Sequence, residues 1–324
     1  MSTAVEQEHP IPSIVCGSPK VPLSPTPCKM IGLLLKIVAI ASVLFDVSSC
    51  EKLPINPILD RLGVSWPRLG DNKIFGPLDY DYIIVGAGSA GSVLANRLSE
   101  DQATSVLLLE AGGNENAISN MPLLWSHLQR SEFDWSYETV TQKHSCYGFK
   151  KRSSFWTRGK VLGGSSVLNA MLYMRGNPID YKHWPAGWQW QDVFPYFLKS
   201  ENAQDPSIAN DGFHAQGGPL DVNFPRYITP LGAAFFESAA EFGYPSLIDI
   251  NGPKRAAFGP MQFTMRDGAR CSTAKAFLYP VHDRPNLHIL TYSFAKQVST
   301  AAICWSVRIA SLINHSIGPM VDSV

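Results

Sequence analysis

Gly86, Gly88 and Gly91 stand in G-x-G-x-x-G spacing, and Glu110 follows about 20 residues later. Glycines in this pattern act by what they lack. The first permits a tight turn, the second lets backbone approach a pyrophosphate, and the third lets a helix pack closely on a strand. An acid at the tip of the next strand can accept hydrogen bonds from a ribose diol. It also disfavours a 2′-phosphate, so NADP is the least suitable dinucleotide, while NAD and FAD both stay open.

The elements needed to position these residues are present in order. Tyr82-Ile83-Ile84-Val85 is short and apolar, which predicts a buried parallel strand. After the glycines, Leu94, Ala95 and Leu98 recur at helical spacing, and the helix N-terminus offers unpaired N–H groups to phosphates. Val106-Leu107-Leu108-Leu109 predicts a second strand that ends in Glu110. A glycine-rich turn in some other α/β protein is the plainer reading. It is disfavoured because strand, glycines, helix, strand and acid all fall within about thirty residues.

A second backbone-rich stretch runs from Trp156 to Tyr181, WTRGKVLGGSSVLNAMLYMRGNPIDY. Gly159, Gly163 and Gly164 carry no bulk, Arg158 and Lys160 bring positive charge, and Ser165 and Ser166 offer hydroxyls. Chemistry alone leaves a ligand loop and a simple turn equally open.

The chain has 324 residues, 45% hydrophobic and 17% charged, within the range of globular proteins. Lys+Arg and Asp+Glu are equal at 27 each, so nothing suggests a nucleic-acid partner. Residues 1–29 are proline-rich and lack apolar periodicity, which predicts disorder. Ile31 to Phe45 is apolar except for Lys36 and falls short of the roughly 20 residues of a spanning helix. Ser48-Ser49-Cys50 suits a signal-peptidase site, so a secreted protein with a long leader is expected; the alternative is membrane anchoring by residues 31–45. Cleavage after Cys50 leaves Cys146, Cys271 and Cys304, an odd number without metal-ligand spacing, and no metal site is expected.

The EAGG that follows the second strand, RGKVLGGSSVLNAMLYMRG and DGARCSTAKAFLYPVHDRPNLHILT together resemble the glucose–methanol–choline (GMC) oxidoreductases, particularly their insect glucose-dehydrogenase-like branch. The likeness covers about residues 78 to 294. It implies FAD as the dinucleotide, with Gly86, Gly88, Ser89, Ala90 and Gly91 along the pyrophosphate and Glu110 at the adenosine ribose. Arg158, Val161, Gly163, Gly164, Asn169, Ala170 and Met171 would lie near the pyrophosphate or the isoalloxazine ring. The implied reaction is oxidation of a CH–OH group of an alcohol or sugar, with quinone or oxygen as electron acceptor.

The resemblance also sets out an organisation and its departures. The expected fold is α/β with α+β character: a Rossmann-like FAD-binding domain with a parallel sheet, plus part of an antiparallel substrate domain. Its expected boundaries are a disordered leader and signal peptide (1–50), a linker with a short helical patch at Ile58-Leu59 (51–77), the FAD-binding domain (78–180), part of the substrate domain (181–235), a continuation of the FAD and substrate domains (236–299) and an atypical tail (300–324). Aromatics at 133–137 and 184–197 are expected to be core packing. Leu287 to Leu290 predicts a strand, and Phe235 to Phe242 before Gly243 predicts a helix and its stop. From Thr300 the likeness is expected to dissolve, Ala295 stands where the family has a valine whose backbone contacts adenine, and Ser154 replaces the cysteine expected to pair with Cys146. None of the eight histidines lies in the family's catalytic context, so no catalytic residue is assigned. The expected function is a FAD-dependent oxidoreductase, truncated before its catalytic histidine. A catalytically inert FAD-binding or interaction protein is the alternative. An NAD-dependent dehydrogenase is disfavoured, because the GGSS loop has no place in one.

Overall fold

A computed structural model describes residues 79–311 apart from 210, 247–248, 254–256 and 302–303. The leader, the linker with its helical patch and the tail beyond 311 lie outside the described residues. In chain order the elements are β1 (Tyr82–Val85), α1 (Ser89–Leu98), β2 (Val106–Leu109), β3 (Tyr137–Glu138), β4 (Phe155–Trp156), α2 (Trp190–Ser200), β5 (Glu201–Ala203), β6 (Leu220–Val222), α3 (Pro230–Glu241), β7 (Met265–Arg266), β8 (Ala269–Arg270), β9 (Leu287–Leu290), β10 (Ser293–Ala301) and β11 (Cys304–Ser311).

The element that positions the site is a parallel sheet of order β1-β2-β9. Its strands run in step, with Val85 opposite Leu109 and Leu109 opposite Leu290. The middle strand β2 is buried at every residue, as a continuous aliphatic run requires, whereas Tyr82 and Val85 on β1 are about half exposed. Ile84, Val106, Leu108, Leu162, Leu278, Leu287 and Ile289 meet in one apolar cluster. Each such side chain contributes roughly 1.5–3 kcal/mol by leaving water.

Helix α1 lies close on the sheet because its buried positions, Gly91, Ser92, Ala95 and Asn96, are small or have their polar groups hydrogen-bonded. The Ser92 hydroxyl donates to Ala87 O (3.0 Å) and the Asn96 amide to Phe277 O (2.7 Å). The helix stops at Ser99, whose hydroxyl bonds back to Ala95 O (2.7 Å) and competes with a further turn.

The helix expected before Gly243 is α3, and its Thr229 cap accepts from the Gly232 N–H (3.1 Å). Gly243 follows at φ +80°. The strand expected at Leu287 to Leu290 is β9. β10 and β11 pair antiparallel from Ser293↔Ser311 to Ala301↔Cys304, across the point at Thr300 where the likeness was expected to dissolve, with an irregularity between Ala295 and Gln297. The period-two pattern Trp305, Val307, Ile309 against Ser306 and Arg308 carried that strand. Two expectations about aromatics need correction. None of those at 184–197 is buried: Trp190, Phe194 and Phe197 are half-buried and pack against one another, with Trp190 and Phe194 stacked at 4.8 Å, while Trp184, Trp188 and Tyr196 stay exposed. Of the 133–137 aromatics, only Phe133 is buried.

A buried charge network ties the region after residue 170 together. Arg175 Nη1 donates to Glu201 Oε2 at 3.1 Å, and His214 bridges Glu201 and Asp249, with Nε2 to Asp249 Oδ2 at 3.0 Å. Asn251 and Gln262 close the ring, the Gln262 amide donating to Asp249 Oδ1 (2.7 Å) and Asn251 to Gln262 Oε1 (2.6 Å). Burial opposes charge on His214, yet hydrogen bonds to Asp249 and Glu201 outweigh it and hold the imidazole up at about 9.

Candidate functional site

The C-terminal ends of β1 and β2 open into a cleft of about 550 Å³. This is where ligands sit in open α/β sheets, because loops diverge there and helix N-termini point in. Gly86, Gly88 and Ser89 form one wall, and Glu110 with Ala111 the floor beside β2. Arg158, Gly159, Gly164 and Ser165 form the opposite wall, Trp135 and Tyr137 a third side, and Ser293, Phe294 and Ala295 the last.

The two glycine-rich loops meet backbone to backbone. Gly163 N–H donates to Ala87 O (2.8 Å), and Leu162 N–H donates to Gly113 O (2.9 Å). A Cβ on Gly91 would stand 2.0 Å from Gly86 O, one on Gly159 2.1 Å from the Gly164 carbonyl carbon, and one on Gly164 2.7 Å from Gly88 Cα. Gly86 and Gly88 differ: a Cβ there meets nothing within 4 Å, so their bare faces look into the open cleft. Gly86 also needs φ +94°, which other residues rarely adopt.

Glu110 is buried and braces the turn. Its Oε2 accepts from the Ala87 N–H (2.9 Å) and its Oε1 from the Gly112 N–H (2.8 Å). Burial raises its pKa, against the pull of those backbone N–H groups and of Lys160. A carboxylate has about four acceptor positions, so Glu110, which lines the cleft, has acceptor capacity beyond these backbone bonds for a donor such as a ribose hydroxyl.

Gly86, Gly88, Ser89, Glu110, Arg158 and Gly164 are thus brought together around one space. Ala90 and Gly91 continue into α1 behind it. Val161 and Gly163 are buried beneath the second loop. Asn169, Ala170 and Met171 lie beyond that loop and do not line the cleft; Asn169 Oδ1 accepts from Arg270 Nη1 (2.8 Å) and from the Met171 N–H (3.0 Å), and Met171 takes φ +62°.

Sequence reasoning missed Trp135, Tyr137, Ser293 and Phe294. Trp135 and Tyr137 were expected to be core; instead they stack at 5.8 Å, nearly parallel, as an aromatic wall, with Lys160 Nζ 5.1 Å over the Trp135 ring. They are free of the core because β3 pairs only with β4 in a two-residue ladder. Ser293 to Ala295 were findable, since a segment leaving the third parallel strand must pass the same crevice.

Comparison with known proteins decides the family. The GMC oxidoreductase family model matches residues 80–318, which includes the stretch beyond Thr300. The chain belongs to the GMC oxidoreductases. It is 43% identical over 216 residues to glucose dehydrogenase [FAD, quinone] of Drosophila pseudoobscura pseudoobscura, covering 65% of this chain and 34% of that one. Oxygen-dependent choline dehydrogenase of Ectopseudomonas mendocina is 39% identical, covering 76% and 43%. Pyridoxine 4-oxidase from Mesorbium loti has the same fold over 72% of this chain and 46% of its own, with TM-score 0.66 and 37% identity. The chain therefore spans between about a third and under half of the length of these relatives. The mixed α/β fold with its parallel sheet is the fold of this family, and its members here are oxidoreductases, the fly enzyme carrying FAD in its name.

The residues present fit such a group. A dinucleotide needs side-chain-free backbone at the pyrophosphate, and Gly86 and Gly88 leave that space open. Arg158 supplies a cation at the wall, and the Trp135–Tyr137 stack supplies a flat apolar side. When bound, the flavin supplies the redox chemistry of the family.

Proposed function

We propose that this chain holds FAD in the cleft between its two glycine-rich loops and serves a GMC oxidoreductase that oxidises a CH–OH group of an alcohol or sugar. The observation that carries the reading is the pair of loops whose only open glycine faces, Gly86 and Gly88, turn to one space bordered by Glu110 and Arg158. The chain's own residues bind and orient: glycine backbone and the α1 N-terminus for phosphates, Glu110 for a ribose, Trp135 and Tyr137 for a ring face. The acceptor is proposed to be quinone or oxygen, in line with the names of the relatives. No described histidine lines the cleft, and no catalytic residue is assigned. The leader is proposed to direct secretion, which secretion of a tagged full chain from insect cells would test; retention in the membrane fraction would favour anchoring.

The deciding experiment is the absorption spectrum of the purified chain after removal of free flavin, followed by addition of glucose and of choline. A retained flavin band supports the reading, and bleaching by either compound adds turnover. A retained band that never bleaches marks an inert FAD-binding protein. Failure to retain or rebind FAD would overturn the proposal for this chain.

A further inference from the structure

We propose that the loop joining β3 to β4 is a docking surface for an anionic lipid bilayer. The first observation is segregation of charge. The chain as a whole is balanced, yet from Thr139 to Ile179 there is no Asp or Glu, while Lys143, Lys150, Lys151, Arg152, Arg158, Lys160 and Arg175 all fall there. Three of these cations have work elsewhere. Arg175 is buried against Glu201, Arg158 lines the cleft, and Lys160 lies over Trp135 and acts on Glu110.

The other four, Lys143, Lys150, Lys151 and Arg152, sit on the loop, all exposed, and form no ion pair among the described residues. The loop is held in shape. Thr139 N–H donates to Ser154 O (2.9 Å), Gln142 N–H to Arg152 O (2.8 Å), and Phe149 N–H to Cys146 O (3.1 Å) in the turn. The Tyr147 hydroxyl donates to Lys143 O (3.1 Å), and Arg152 lies 5.0 Å over the Tyr147 ring. A π face orients a cation without cancelling its charge, so the positive potential of the tip remains.

The second observation is apolar surface on the same loop. Val140 is 81% exposed, Tyr147 66% and Phe149 57%. Cations beside exposed aromatic and aliphatic groups match the two layers of a lipid interface: anionic headgroups, and the boundary with the acyl chains where aromatic rings settle. A soluble polyanion would take up the charges and leave Val140 and Phe149 in water. Each basic side chain close to an anionic leaflet is worth roughly fivefold in partitioning, so four give on the order of several hundredfold. Docking would set the rim of the cleft beside the lipid surface, since Tyr137 at the base of the loop lines it. The inference does not depend on flavin being bound.

The test is co-sedimentation of the full chain with vesicles of phosphatidylcholine alone and with about 30% phosphatidylserine, in roughly 0.1 M and 0.5 M salt. Binding to the anionic vesicles only, lost at high salt, is expected. The variant Lys150→Glu/Lys151→Glu/Arg152→Glu lowers that binding about a hundredfold. Tyr147→Ser/Phe149→Ser weakens it while keeping its salt dependence. The milder Lys150→Gln/Lys151→Gln, with an unchanged melting midpoint, separates lost charge from lost fold. No vesicle binding, equal binding to both compositions, or a charge-reversed variant that binds like its parent would overturn the proposal. Retention on heparin or on an acidic protein without vesicle binding would also overturn it, and would assign the loop to a soluble polyanion.

Discussion

The cleft and the His214 network achieve order by opposite means. Around the cleft, two loops approach because side chains are missing, and Gly91, Gly159 and Gly164 put backbone against backbone. Around His214 the side chains are long and charged, and order comes from pairing each with another: Arg175 with Glu201, Glu201 with His214, His214 with Asp249. The first region is intolerant of added atoms and the second of removed ones. The difference also separates binding from scaffolding, because the cleft exposes glycine backbone to a ligand while the network's carboxylates and imidazole are turned on one another.

The sharpest way to break the contrast is to add atoms at the loops. Gly91→Val is expected to cost more than about 4 kcal/mol, seen as loss of soluble folded chain, because its Cβ alone would lie 2.0 Å from Gly86 O. Removing a partner from the network comes next. Glu201→Ala removes the carboxylate that pairs with buried Arg175 and leaves His214 with Asp249 alone, and is expected to lower stability to urea by about 3–5 kcal/mol. Charge can also be withdrawn without mutation. His214 is raised from 6.5 to about 9, so its contribution is fully present below pH 6.5 and is lost as pH rises through about 9. That shift corresponds to on the order of 3 kcal/mol, read as a falling melting midpoint across this window that His214→Gln removes. The smallest stability effect is expected at Gly88→Ala, whose Cβ meets nothing within 4 Å. Its melting midpoint should stay put while FAD affinity falls about tenfold or more, about 1.4 kcal/mol. A large loss of stability there would mean that the open face of Gly88 is structural after all.

These regions were unequally legible in the sequence. The glycine spacing, β1, α1, β2 and Glu110 lie within one short stretch, where periodicity and turn chemistry act locally, and the structure places them together. The GGSS loop was legible as a glycine loop, but its approach to Gly88 was a tertiary fact. The network was not legible at all. Arg175, Glu201, His214 and Asp249 are scattered over 75 residues of chain, and nothing in the spacing of an isolated histidine reveals two carboxylates folded against it. Trp135 and Tyr137 misled for a related reason: an aromatic residue looks the same in sequence whether it fills a core or walls a cleft.

The in-step register of β1, β2 and β9 has a consequence for how this chain can vary. Val85, Leu109 and Leu290 end at one level, so the turn at Gly86, the Glu110 carboxylate and the segment from Ser293 to Ala295 all leave from the same ledge. A single inserted or deleted residue within any of these strands would turn every following side chain to the opposite face and carry its share of the cleft out of line. Substitutions that keep strand length can accumulate in the sheet, while changes of length are expected only on the far side of the molecule from that ledge or in excursions such as the one around Tyr147.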